Sequence, residues 1–464
     1  VLGRAAPGGA AQGRVADPRV REVIVREMIA PAAEQVGKRF ADRPLVEAAV
    51  RHAIASTLVD VGDARSAVPH AERAADVRVR LLGPDHPDAL EARSGYARAL
   101  VYAGRSAEAE PLLRDVLARR RRLLPADDPA LLATLHELSI ALEKLGRVTE
   151  AEPLCLAALE GRRRTLPPGD PSLQKTLSSY VLLLNRLGRG GEVVKLYEES
   201  LERNRRELGP DDPTTLSTTH YLAVVMRGRG DHAAAERLYR DAHDRRVKVL
   251  GPDHRDTLMS LDGCGVAMML QNRPDEAEVA FRDAADRRAR VLGPEHPDTL
   301  MSRHNLAWAL ATRNLPAEAE PVIAEAWAGR AKVLGPDSPE ALGSLHMYAW
   351  TLELLGRLPE AEAKYRATLE GRTRVLKPDH PDRLTSLNRL ARVLLAEGHP
   401  ADAEPLYAEA TERSAKAVGP GHSQTRAFAA DYAKCLEALD RPDDAKAVRA
   451  KYRKKAETRP AGTS

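Results

Sequence analysis

Cysteine is nearly missing from these 464 residues, and that scarcity removes one class of architecture at once. Cys155, Cys264 and Cys435 are too few and too scattered for a disulfide framework. Each falls on or beside an apolar position of a repeating pattern, so buried thiols in a reducing cytoplasm are expected. Aromatic residues make up only 4%, so the core must rest on Ala, Leu and Val. Net charge is also slight: Lys+Arg 71 against Asp+Glu 67 leaves +4, which argues against a protein that holds nucleic acid by bulk charge. No apolar run reaches the roughly 18 residues of a membrane span. Residues 1–17 are Gly/Ala-rich without the apolar centre of a signal peptide, and read as a flexible lead-in. The chain opens on Val1 instead of methionine, as a fragment or processed form of something longer would. Arginine, alanine and proline where lysine and isoleucine would serve point to a GC-rich bacterial genome.

What the chain does have is a 42-residue unit written without insertion or deletion. Pro87, Pro129, Pro171, Pro213, Pro297, Pro339 and Pro381 are each a multiple of 42 residues apart, with Arg255 and Ser423 in the slots where proline is missing. Leu82, Leu124, Leu166, Leu208, Leu250, Leu292, Leu334 and Leu376 keep the same step. Self-similarity at this period means a solenoid, which replaces the usual estimate of several compact domains. Within one unit, Pro297 suits the first turn of a helix and His296 stands at its cap, where Asp128, Asp170, Asp212 and Ser338 stand elsewhere. A first helix is predicted over 297–313 and a second over 317–333. Between them lies a column of Gly62, Gly104, Gly146, Gly188, Gly230, Asn272, Asn314, Gly356, Gly398 and Asp440, residue types that tolerate the left-handed backbone at a helix end. Small residues recur on both helices, as at Ala223, Gly265 and Ala307 on the first and Ala235, Ala277 and Ala319 on the second. They let the two helices approach closely.

A helix–turn–helix with A-x3-[FY] on its second helix resembles the tetratricopeptide repeat. The matching pieces are Ala235/Tyr239, Ala277/Phe281, Ala361/Tyr365 and Ala403/Tyr407. The repeat length and the L-G-P-[DE]-H-P-[DE] loop at residues 82–88 and 292–298 resemble the kinesin-light-chain-like subfamily. The resemblance implies an all-α right-handed superhelix of about ten helix pairs over residues 45–455. A capping helix is expected over 18–44, with Asp17 as its cap and a kink at Pro31, and a disordered tail over 456–464. Residues 20–50 resemble the junction before such repeats in large bacterial serine/threonine protein kinases of planctomycete type. That implies an alternative role, the regulatory or docking arm of a kinase whose catalytic domain lies outside this chain.

No residue set escapes the repeat frame to form an enzyme site, and nothing calls for a cofactor or a metal. His254-Arg255-Asp256 spells the start of a kinase catalytic loop, but it is the repeat loop with arginine in the proline slot, and no Asp-Phe-Gly follows. Arg229-Gly230-Asp231 is the inter-helix turn. The loop histidines His86, His254, His296, His380 and His422 sit on separate repeats, too far apart for one zinc ion, whose ligands lie about 2 Å from it. The basic column Arg80, Arg122, Arg164, Arg206, Lys248, Arg290, Lys332, Arg374 and Lys416 falls in the last turn of each second helix. There it favours the negative helix end, and loop acids such as Asp85, Asp253 and Glu295 are within reach.

The resemblance places the first helix of each repeat along a concave groove that binds a protein or peptide. One groove column reads Ser94, His136, Ser178, His220, Asp262, His304, His346 and Asn388, and Asn305 stands beside it. His, Ser and Asn can hydrogen-bond an extended backbone. One turn further on lie Val266, Trp308 and Trp350, with Met259, Met269, Met301 and Met347 in the same repeats. Met and Trp together make an adaptable apolar surface with anchoring side chains. The expected function is therefore non-catalytic recognition of a partner segment. Trp308 and Trp350 would act as anchors, with Val266 and Met269 beside them, and His220, His304, Asn305, His346 and Asn388 as polar clamps. Nucleic acid and membrane are not expected partners.

Overall fold

The computed structural model describes residues 29–453, and among these it forms twenty-one helices. The architecture is all-α, a solenoid of helix pairs, and it divides into two compact units, one ending at Gly230 and one beginning at Asp231. In the first unit the pairs are Pro44–Asp60 with Ala64–Leu82, Pro87–Tyr102 with Ser106–Leu123, Pro129–Lys144 with Val148–Thr165, and Pro171–Arg186 with Gly190–Glu207. A further first helix, Pro213–Gly228, ends it. The second unit opens on His232–Leu250 and continues with Arg255–Leu270 and Pro274–Leu292, Pro297–Thr312 and Pro316–Leu334, and Pro339–Leu354 and Leu358–Val375. Pro381–Ala396 with Pro400–Val418, and Ser423–Ala438 with Pro442–Lys451, complete it. Within each unit every helix packs on the one before it, and first helices of neighbouring repeats also touch.

Local chemistry explains where these helices begin. Asp128 and Asp170 each accept backbone N–H bonds at the cap, with Asp128 Oδ1 2.8 Å from Ala130 N. The loop histidines do the same work. The Nδ1 of His296 accepts from Asp298 N at 3.1 Å, and His86, His254, His380 and His422 repeat the contact. A histidine held this way is a helix cap, which settles why it recurs at that slot.

The expected ends also hold. Gly104, Gly146, Gly356 and their equivalents have positive φ, and Asn272, Asn314 and Asp440 adopt φ near 60° in the same column. At Asn314 the chain closes a Schellman turn: Leu315 N donates to Leu310 O at 2.9 Å and Asn314 N to Ala311 O at 3.1 Å.

The core is a column down the second helices. Leu113, Cys155, Tyr197, Tyr239, Phe281, Ile323, Tyr365 and Tyr407 stand at the repeat step, and each is buried. The small first-helix column fits against it. A Cβ on Gly265 would lie 2.6 Å from the Phe281 ring, so glycine lets that ring sit closer than an alanine would without a shift. Cys155, Cys264 and Cys435 are buried free thiols, and burial pushes Cys155 and Cys264 up to about 12.

Of the expected N-terminal cap, residues 18–28 lie outside the described residues, as does the tail from 454. The described part is the helix Ala30–Arg39, which carries Pro31 at its start, and the segment upstream of it, on which a kink would depend, lies outside the described residues. The helix packs on Pro44–Asp60 with Val36 buried.

The turn column yields a direct test. Asn314→Gly is expected to leave stability unchanged within about 0.5 kcal/mol. Asn314→Val should lose about 1–2 kcal/mol in chemical denaturation, because a β-branched residue pays the full left-handed penalty.

Candidate functional site

Among the described residues, six of the second helices, including those of Arg288, Arg330 and Arg372 in consecutive repeats, contribute a buried arginine that ties the helix to the first helix of the next repeat. In the first unit, Arg120 Nη1 donates to Ala130 O and to Thr134 Oγ1, both at 2.8 Å. Arg162 Nη1 donates to Ser172 O at 3.0 Å and to Thr176 Oγ1. In the second unit, Arg246 bonds Asp256 O and Ser260 Oγ, Arg288 bonds Asp298 O and Ser302 Oγ, Arg330 bonds Glu340 O and Ser344 Oγ, and Arg372 bonds Asp382 O and Ser386 Oγ. The partners are always the carbonyl ten residues on and the hydroxyl fourteen residues on. Asn204 fills the slot in one repeat and reaches Thr218 Oγ1 at 2.9 Å.

The groove column lies against this row. His136 Nδ1 stands 3.4 Å from Arg162 Nη1, and Asp262 pairs with Arg288 while accepting from Ser302 Oγ. His304 Nδ1 is 3.2 Å from Ser344 Oγ, the hydroxyl that Arg330 also engages. Burial, and then the adjacent guanidinium, pushes His136, His304 and His346 down to about 3, so all three rings are neutral hydrogen-bonding groups at ordinary pH.

The nine expected site residues divide between the units. His220 belongs to the first, where it is buried with its ring edge-on to Tyr221. The other eight belong to the second. Val266, His304, Asn305, Trp308, His346 and Trp350 are half-buried. Trp350 packs on the core cluster around Tyr365 and Leu390, and the Arg389 guanidinium lies 5.9 Å from its ring centre. His346 meets Tyr365 edge-on at 5.2 Å, and its Nδ1 is buried without a partner. Asn388 is buried; its Nδ2 donates to Asp431 Oδ2 at 3.1 Å, while its Oδ1 has no partner. Met269 is only 7% exposed and fills core space, leaving little surface for a ligand.

The basic column two residues beyond the buried arginines is a different thing. Arg164 pairs with Asp127 at 2.6 Å, Lys332 with Glu295 at 2.6 Å and Arg374 with Asp337 at 2.7 Å. These are exposed bonds from one repeat to the loop of the preceding one. Among the described residues no cluster of His, Cys, Asp and Glu could hold a metal ion, and no helix is long and apolar enough to cross a membrane.

Family profiles described as tetratricopeptide repeat match residues 46–122, 131–172, 172–246, 218–288, 265–328 and 344–416, well over half of the chain. The chain belongs to the tetratricopeptide repeat family. Among solved structures, a kinesin-light-chain-type protein with nearly identical TPR-like repeats from Podosopora anserina is 24% identical over 53% of this chain and 97% of its own, with a TM-score of 0.30. The apo quorum sensor NprR from B. thuringiensis is 10% identical over 78% of this chain and 97% of its own, with a TM-score of 0.51. Apo RapI is 9% identical over 86% and 98%, also at 0.51. At these identities the likeness is one of fold. No curated protein matches the sequence.

The buried arginine row is the feature that sequence reading missed. Removing one guanidinium, as in Arg330→Met, should cost about 2 kcal/mol, because two buried hydrogen bonds from a charged donor, to Glu340 O and Ser344 Oγ, are lost. Hydrogen exchange should quicken in Pro316–Leu334 and Pro339–Leu354 before it does elsewhere. A loss below about 0.5 kcal/mol would show that water replaces the guanidinium without cost.

Proposed function

We propose that this TPR protein is a non-catalytic recognition scaffold, and that its second unit binds a protein or peptide segment along the first-helix face. The observation that carries the reading is the pair Trp308 and Trp350. They occupy the same position on successive repeats and are half-buried, so each ring is braced by the fold and still presents surface. Large aromatic side chains held this way are the usual energetic anchors of an interface. Beside them, His304, Asn305 and His346 supply neutral polar groups for a backbone, and Asn388 adds a carbonyl oxygen with no internal partner. His220 marks the matching position in the first unit, and Val266 extends the apolar side of the second, while Met269 backs it from the core. Family membership supports a scaffold role. The two structural relatives with TM-scores of 0.51 support the fold of such a scaffold.

A second reading rests on residues 20–50, whose resemblance to the junction before repeats in bacterial serine/threonine protein kinases makes this chain a docking arm. A kinase domain encoded in frame ahead of Val1 would support it, and an unrelated upstream sequence would remove it.

The scaffold reading is tested with peptides selected on the intact protein from a random display library. The double variant Trp308→Ala/Trp350→Ala should weaken the selected peptides by about 30-fold or more, equivalent to about 2 kcal/mol, with the helical content unchanged. Peptides that bind the variant as tightly as the parent would move the recognition surface off this face.

A further inference from the structure

The first unit carries a pocket whose chemistry differs from the tryptophan face. It is a cavity of about 220 Å³ lined by Arg98 and Tyr102 of Pro87–Tyr102, His136 and Glu137 of Pro129–Lys144, Arg162 of Val148–Thr165, and Lys175 of Pro171–Arg186. We propose that this cavity is a binding site for a small phosphate monoester, gripped by Arg98, Arg162 and Lys175 and completed by Glu137. The proposal stands on residues of the first unit alone and is independent of the tryptophan face.

Charge decides the sign of the ligand. Three cations line the cavity, and among the described residues none of them has a carboxylate within ion-pair distance. Arg162 bonds only neutral groups, at Ser172, Thr176 and His136. Arg98 Nη2 donates to Ser56 Oγ at 3.1 Å, while its Nε is buried and has no partner. Glu137 Oε2 is likewise buried and unpartnered. Two orphaned polar atoms in the wall of one cavity are costly unless something bonds them.

A phosphate group answers both. Its several oxygens can accept from cationic donors on different helices at once, and its second charge matches the excess of cations better than a carboxylate does. Glu137 then acts as a donor. Burial raises its carboxyl to about 7 against the opposing pull of Arg98, Arg120 and Lys175, with Glu91 adding to the rise. The groups around it are thus Glu91 and Arg98, Arg120, Arg162 with the neutral His136, and Lys175. A carboxyl that is part protonated near neutrality can offer its O–H to a phosphate oxygen. For the organic part of the ligand, the wall supplies Tyr102, whose ring centre is 5.9 Å from Lys175 Nζ, together with Val101 and Ile140.

Phenyl phosphate titrated into the whole protein by calorimetry tests the assignment. Saturable one-to-one binding is expected, with inorganic phosphate at least severalfold weaker because it leaves the apolar wall bare. Lys175 is exposed and its replacement leaves the fold intact, so Lys175→Ala should weaken binding by about tenfold. Glu137→Gln should tighten binding severalfold at about pH 8, where the carboxylate would otherwise repel the ligand. The proposal fails if no saturation is reached by about 10 mM phenyl phosphate, or if Lys175→Ala binds as the parent does. Weakening by Glu137→Gln at that pH would overturn the role of the carboxyl, and equal affinity for inorganic phosphate would overturn the organic body of the ligand.

Discussion

At six joints between one helix pair and the next, the contact depends on a buried guanidinium. Arg246, Arg288, Arg330 and Arg372 each reach forward to the first turns of the following helix, holding one carbonyl and one hydroxyl there. A carbonyl already bonded within its helix has a lone pair to give, so the contact takes nothing from the helix it grips. The arrangement is directional in a way that apolar packing is not. It fixes rotation and register between repeats, whereas the Ala and Leu columns fix only their separation. A buried cation is costly in itself, even where, as at Arg288, a carboxylate (Asp262) stands beside the neutral acceptors, and no single such group is evidence of net stability. What it supplies is a unique geometry at each joint, and on that geometry the alignment of the first-helix face depends.

Much of this fold was legible in the chain because the punctuation repeats. Helix starts at Pro297 and ends at Asn314 follow from caps and left-handed turns, and the structure places them within a residue of the pattern. The basic column and its loop acids were legible for the same reason, since ion pairing needs only complementary charge at the right offset. The buried arginines were not. Arg120 stands in the run Arg119-Arg120-Arg121-Arg122, where burial of one member has no signature in its own residue type. Only the Ser or Thr fourteen residues on, at Thr134, Ser302 and Ser344, carries the information, and a hydroxyl on a helix has many ordinary uses.

The candidate sites show the same limit from another side. The column of Trp308 and Trp350 could be read at the repeat period, but whether a side chain at that position is braced, buried or presented depends on its neighbours. Met269 looks like its companions in sequence and lies in the core. The pocket of the first unit was invisible because its members come from four helices and share no motif. Arg98 and Lys175 are unremarkable on helices rich in charge, and Glu137 becomes informative only when its burial and its missing partner are known.

Position by position, the repeats keep one frame and change what it displays. The slot held by Trp308 and Trp350 is Ile140 and Arg98 in the first unit, and the slot of Asn305 is Glu137. The frame can tolerate this because most of each joint is made elsewhere, by the small columns and the buried arginines, while slot residues such as Arg98 and Trp350 add smaller contacts to a neighbouring repeat. A substitution on the first-helix face therefore alters chemistry at less structural cost than one at Gly265 or Arg288, which touches the frame itself. That separation accounts for two chemically unlike surfaces in one chain of units that share a 42-residue frame: an aromatic face with neutral imidazoles in the second unit, and a cationic cavity around a single carboxyl in the first.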